Sequence, residues 1–199
     1  IGTQMVAKGL DFENVTLVGV LSADQVLYSD DFRSNERGFD LMTQVVGRSG
    51  RGTKRGRAII QTYTPENPVI ALASHQDYVH FYQQEILFRK AMLYPPFADI
   101  VVIGFVGEQE SKVAKASQLF LEMLSHLASK EYSELPIRAL RPTPAQVAKV
   151  SNKYRYKLMI KCKNNLTFRT MLSRLLVACG KEKAFAGVTV YADSNPDMI

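Results

Sequence analysis

Three side chains define the chemistry this sequence could support. In QVVGRSGRG, residues 44 to 52, Gln44, Arg48 and Arg51 recur at the spacing of one helix face, while Val45 and Val46, with Leu41 and Met42 before them, turn the other way toward a core. Two guanidiniums beside an amide suit a polyphosphate undergoing hydrolysis. Arginine forks bind phosphate oxygens bidentately and can neutralise charge that develops in the transition state. The same spacing would also serve an exposed basic helix end running into a glycine stop, so the residues around it have to decide.

The elements that must hold this face are legible on either side of it. TLVGVL (16 to 21) reads as a buried strand of the parallel type, a short apolar run without alternation. Asp30 to Arg37 reads as a polar connection, 38 to 50 as a helix closed by Gly50 and Gly52, and AIIQTY (58 to 63) as the next strand. Strand, helix, strand is the βαβ unit of an open α/β sheet. NPVIALASHQDYVHFYQQEILFRKAML (67 to 93) continues as a helix, with a break available near Ser74. His75 and His80 lie five apart within it, share no face and read as surface histidines. Pro95 and Pro96 stop the helix, which sets a boundary between a first domain, 1 to 93, and a second, 94 to 199.

The pattern then changes. DIVVIGFV (99 to 106), IRAL (137 to 140), RYKLMIKC (155 to 162) and GVTVYA (187 to 192) read as strands, and 110 to 129 and 166 to 179 as amphipathic helices. The order βαββαβ predicts a ferredoxin-like α+β sandwich, with two helices covering one face of the sheet. In the third of these strands Tyr154, Tyr156, Leu158, Ile160 and Cys162 point one way. Arg155, Lys157, Lys161 and Lys163 point the other, with only Met159 breaking the set. If the apolar set meets the helices, the basic residues form a row on the open face. Same-face neighbours stand about 6 to 7 Å apart, a spacing suited to successive phosphates of a single strand. Such a row contacts the backbone rather than the bases, since its own tyrosines would be buried; Lys149 and Lys153 in the preceding loop would extend it. A solvated outer face is the other reading of the same row.

Bulk properties agree with a phosphate partner and exclude other classes. The 199 residues carry a formal charge of +6, and the excess lies entirely in the second part: ten Lys/Arg against ten Asp/Glu in residues 1 to 90, fifteen against nine afterwards. Eleven basic residues and no acidic one fall between Glu134 and Glu182, the footprint of a nucleic-acid backbone. Cys162 and Cys179 make neither a disulfide framework nor metal-ligand spacing, so no metal site is expected. No apolar run approaches the roughly 20 residues of a membrane span, and no signal sequence opens the chain, which implies a cytoplasmic protein.

The motifs then carry a resemblance. GTQMVAKGLDF (2 to 12) followed by QVVGRSGRG resembles motifs V and VI of superfamily 2 helicases, in order and separated by a strand. GTQMVAKG, DFRSNER (31 to 37), YPPF (94 to 97) and DSNP (193 to 196) resemble, more narrowly, the primosomal replication restart helicases. The resemblance implies a C-terminal fragment beginning at motif V, with most of the second RecA-like lobe followed by a basic DNA-binding domain. It implies Arg51 as arginine finger on the γ-phosphate, Arg48 as its companion and Gln44 positioning the attacking water or the γ-phosphate. Gly9 and Asp11 would lie near the nucleotide and Thr3 near the DNA backbone. ATP and Mg2+ are the cofactors implied for the full-length protein, with zinc expected only upstream. The partners implied are single-stranded and forked DNA, the acidic tail of single-stranded DNA-binding protein, and primosome proteins.

One motif is missing. Gly47 and Gly52 have the separation of a GxxxxGK[ST] loop, but Thr53 stands where lysine is required, and no Asp-Glu pair ends an apolar strand. The fragment is therefore expected to be inactive alone. Motifs V and VI would equally permit an RNA-directed or chromatin-remodelling motor, and a non-catalytic nucleic-acid-binding protein with a remnant motor lobe is a third reading.

Overall fold

A computed structural model describes residues 16–47 and 56–196. The chain divides into two compact units between Phe88 and Arg89, and each follows from its own hydrophobic pattern.

In the first unit, β1 (Leu17–Val20) and β2 (Arg57–Ile60) pair in parallel, Leu17 opposite Arg57 and Val20 opposite Ile60. Between them come a single helical turn, α1 (Asp24–Leu27), and α2 (Ser34–Val46). α2 starts four residues earlier than the apolar periodicity alone suggests. The DFRSNER stretch, read as a connection, turns the chain instead: Asp31 accepts from the Arg33 N–H at 2.9 Å and pairs with Arg37 at 3.0 Å. Phe39, Met42 and Val45 then recur along the buried face of α2. Gly38 lets α1 approach closely, since a Cβ there would stand 2.5 Å from Leu27 Cδ2. The helix predicted over 67 to 93 breaks where the sequence offers a break, after Ser74: α3 (Pro68–Ser74), whose cap is Asn67 accepting from the Val69 N–H at 2.9 Å, is followed by α4 (Tyr78–Met92). Gln76, in the left-handed region at φ 56°, makes the break. Phe39 stacks on Phe81 with ring centroids 4.2 Å apart, within a core that also holds Leu27, Met42, Val69, Ile70 and Ala73. The strands are not buried on both faces as predicted, because Leu17 and Ile59 are exposed and the helices cover only the Val18, Val20, Ala58 and Ile60 side.

In the second unit, β3 (Asp99–Gly107), β4 (Arg138–Ala139), β5 (Thr143–Val150), β6 (Lys153–Cys162) and β7 (Val188–Ser194) form one antiparallel sheet with path β4-β6-β3-β7, β5 also pairing with β6. α5 (Glu110–Glu131) and α6 (Leu166–Lys181) lie on one face. The core sits between them: Val101, Ile103 and Phe105 of β3, Leu158 and Ile160 of β6, Val113 and Phe120 of α5, Phe168 and Met171 of α6. β5 is not predicted by the hydrophobic pattern, which places Lys149 and Lys153 in a loop. Pro142, Pro144 and the polar residues beside them hide the strand. Ser151 and Asn152, both at positive φ (49° and 59°), form the two-residue turn that joins β5 to β6, the geometry a tight hairpin needs. Among the described residues, no helix is long and apolar enough to cross a membrane.

Candidate nucleic-acid interface

The two-sided pattern of β6 is realised. Leu158, Ile160 and Cys162 are buried beneath the helices, and Tyr154 and Tyr156 pack at the edge of the same core. Arg155, Lys157, Met159 and Lys161 therefore share the opposite face. The antiparallel register extends that face across the sheet: Arg155 is opposite Val106, Lys157 opposite Gly104, Met159 opposite Val102 and Lys161 opposite Ile100. On the far side of β3, Thr189, Tyr191 and Asp193 follow opposite Val106, Gly104 and Val102.

The basic row is not continuous, and Lys161 corrects the expectation. It is 5% exposed, donates to the Met92 carbonyl at 2.6 Å and lies 3.7 Å from the centroid of the Tyr94 ring. Burial holds its pKa below the ordinary lysine value, with a smaller contribution from the neighbouring Arg138. A lysine stem long enough to reach a carbonyl beside an aromatic face gains more from those partners here than from water. The consequence is that the segment after α4 covers this end of the sheet, where Ile100 is also buried. Lys149 likewise leaves the row: in β5 it is opposite Tyr154, on the helix-facing side, 4.7 Å from that ring centroid. Of the β6 row, the basic side chains left on the open face are Lys153, Arg155 and Lys157, half-buried or exposed, with exposed Lys163 just past the strand end; β4 adds exposed Arg138, opposite Lys161.

The motif residues at this end act as clamps. Asn195, at φ 49°, donates its N–H to the Ile100 carbonyl at 2.7 Å, and its Oδ1 accepts from the Ile100 N–H at 2.9 Å. Asp99 accepts from Asn195 Nδ2 at 3.2 Å and from the Asn164 N–H at 2.8 Å, so DSNP ties β7 and the β6–α6 turn to the start of β3. Arg89 donates to the Pro95 carbonyl at 3.4 Å, fixing YPPF against the end of α4. These contacts explain why such short motifs carry structural information.

Of the residues expected at a nucleotide site, Gln44 is exposed on the last turn of α2. Arg48, Arg51, Gly9, Asp11 and Thr3 lie outside the described residues. Among the described residues no cluster of three or more His, Cys, Asp or Glu could hold a metal ion. Tyr191 was missed by sequence reasoning. It is 43% exposed on the open face, whereas the tyrosines expected to be buried were Tyr154 and Tyr156 of β6. The signal was present in the alternation of GVTVYADS, where Val188 and Val190 share one face and Thr189 and Tyr191 the other.

A two-unit α/β chain ending in a helix-backed antiparallel sheet with basic residues on its open face is the class defined so far, and residues 90–196 match the model of the Primosomal protein N C-terminal domain. The chain belongs to that family. It is 40% identical over 199 residues to the replication restart protein PriA of Bacillus subtilis, spanning 100% of this chain and 24% of that protein. It is 38% identical over 199 residues to the protein of the same name from Synechocystis, spanning 22% of it, and 41% identical over 172 residues to that of Chlamydia muridarum, covering 86% of this chain and 22% of that protein. The chain thus spans under a quarter of the length of these relatives. The resemblance drawn from GTQMVAKG, DFRSNER, YPPF and DSNP is borne out.

Proposed function

We propose that the chain is the C-terminal part of an ATP-dependent 3′-to-5′ DNA helicase that restarts stalled replication forks and initiates primosome assembly. The observation that carries this reading is the alignment of all 199 residues with a replication restart protein at 40% identity. The first unit then belongs to a RecA-like motor lobe, for which the parallel β1–β2 pair with α2 between them is the expected connection. The second is a split βαβ sandwich; its path β4-β6-β3-β7 supports that assignment.

When bound, ATP with Mg2+ supplies the phosphoanhydride to be hydrolysed. The exposed amide of Gln44 is open to such a ligand. In this reading Arg48 and Arg51 bind the γ-phosphate and neutralise its developing charge, Gly9 and Asp11 line the nucleotide, and Thr3 contacts DNA. Arg155, Lys157 and Lys163 hold phosphates of a single strand on the open sheet face. The acid-free stretch from Leu135 to Lys181 is also a suitable receiver for the acidic tail of single-stranded DNA-binding protein.

In the full-length protein, Arg51→Ala is expected to cut DNA-stimulated ATP hydrolysis by about a thousandfold or more while leaving DNA affinity nearly intact. Unchanged turnover refutes the finger. Reversing Arg155 and Lys157 to Glu in the 199-residue chain should weaken single-strand binding and lower its salt slope by roughly one per lost phosphate contact. An unaltered slope returns this face to plain solvation.

A further inference from the structure

The open face of the antiparallel sheet is not uniformly polar. Its centre is Val102, Val106 and Met159, all half-buried, with Gly104 in the middle and the exposed ring of Tyr191 beside it. A face that only needed solvation would not place these residues together on two neighbouring strands and a third. The glycine explains the ring. A Cβ at position 104 would stand 2.2 Å from Tyr191 Cζ and 2.6 Å from its hydroxyl oxygen, so the phenol end of Tyr191 occupies the space a side chain there would fill. Glycine lets the ring recline across β3 rather than stand up from β7.

Charge on this face is also graded from one edge to the other. β6 supplies Arg155 and Lys157, whereas β7 supplies Asp193 two residues beyond Tyr191. Phosphates are favoured along β6 and repelled from the β7 edge. Lys157 and Tyr191 flank Gly104 from opposite sides in the same cross-strand row, two strand spacings or about 10 Å apart.

Resting on the reading of this face as a DNA surface, we propose that Tyr191 is a base-stacking platform for single-stranded DNA. The backbone tracks β6 and one unpaired base turns inward across Gly104 to lie on the Tyr191 ring. The aromatic face accepts any base, and the apolar residues around it receive the sugar and the base edge without reading sequence. Duplex DNA, whose bases are already stacked on each other, cannot use the platform. The surface thereby distinguishes single from double strands, which a row of lysines and arginines alone does not.

The test uses the 199-residue chain and fluorescence anisotropy with a single-stranded oligonucleotide, an abasic strand of equal length and charge, and the matching duplex. Stacking by one base predicts about tenfold weaker binding of the base-bearing strand by Tyr191→Ala, wild-type binding by Tyr191→Phe, and no change for either variant on the abasic strand or the duplex. An oligonucleotide carrying 2-aminopurine should be quenched by the wild type and by Tyr191→Phe but not by Tyr191→Ala. If Tyr191→Ala binds the base-bearing strand as the wild type does, while Arg155→Glu with Lys157→Glu weakens all three ligands, stacking is overturned and the phosphate face stands. If the charge reversals change nothing, the DNA-face reading fails and the platform fails with it. An equal loss on the abasic strand assigns Tyr191 a structural role and also overturns the proposal.

Discussion

The two units bury their sheets to different extents. The five-stranded antiparallel sheet has one face sealed by two helices, with Ile103, Phe105, Phe120, Leu158 and Ile160 excluded from solvent. The two-stranded parallel sheet of residues 16–88 is covered on one side, with Leu17 and Ile59 open on the other and Leu21 open just past β1. Parallel strands are ordinarily buried on both faces. The first unit therefore takes its cohesion from its helices, through the Phe39–Phe81 stack and the contact of α2 with α3, whereas the second takes it from a sheet-and-helix core.

That contrast can be broken by measurement, starting with the largest effect. Phe105→Ala removes a fully buried ring that meets Phe120 edge-on at 5.5 Å, and it should cost about 3–5 kcal/mol of the second unit's stability. The reporter is built in, because both cysteines of the chain, Cys162 and Cys179, are buried in that unit and none lies in the first. Their alkylation rate should rise with Phe105→Ala and respond weakly to Phe81→Ala. Equal responses would show that the two units unfold as one.

The same thiols set a pH dependence. Burial, then the Asp99 carboxylate, pushes Cys162 up to about 12; burial chiefly raises Cys179 to about 11. Native pKa values above the unfolded one mean that the stabilisation is complete below pH 9, the ordinary thiol value, and is lost as pH rises through about 11 and 12. Denaturation midpoints of the second unit should fall across that window, and the fall should shrink when both cysteines are replaced by alanine, burial of the Tyr156 phenol contributing in the same direction. Lys161→Ala leaves the Met92 carbonyl without its donor beside a bared Tyr94 ring, and should cost about 1–3 kcal/mol. A cost near zero would place Lys161 back among the solvated lysines. The smallest change should come from Arg174→Ala. Its bonds to Glu131, at 2.7 and 3.3 Å, join α6 to α5 on an exposed surface, where water and salt compete for both partners, so the midpoint should scarcely move.

What was legible in the sequence follows the same division. The strands and helices of the second unit show in their periodicity because each has one buried face, and the β6 alternation predicted which residues face the helices. The alternation could not show that Lys161 is capped by Met92 and Tyr94, which lie about seventy residues earlier in the chain. Nor could it show that Gly104 makes room for Tyr191, since that depends on the register between β3 and β7. β5 escaped notice because Pro142 and Pro144 read as loop residues, although the strand tolerates them at its edge. In the first unit the early start of α2 depends on the side-chain bonds of Asp31, which hydrophobic spacing does not register.

The order of strands in the sheet also constrains the order in which the protein can be made. β3 is the first strand of its unit to be synthesised and β7 the last, yet they are neighbours, and the Asn195–Ile100 bonds that lock them join residues 95 positions apart. The β5–β6 hairpin can close as soon as it emerges, because its turn needs only Ser151 and Asn152. The central strand must wait with one edge unpaired until almost the whole unit is available. During that interval the run from Ile100 to Val106 is an exposed apolar strand edge, the kind of segment that aggregates or recruits a chaperone. Truncations that remove β7 should therefore be lost to insolubility during synthesis, before any defect in DNA binding could be measured.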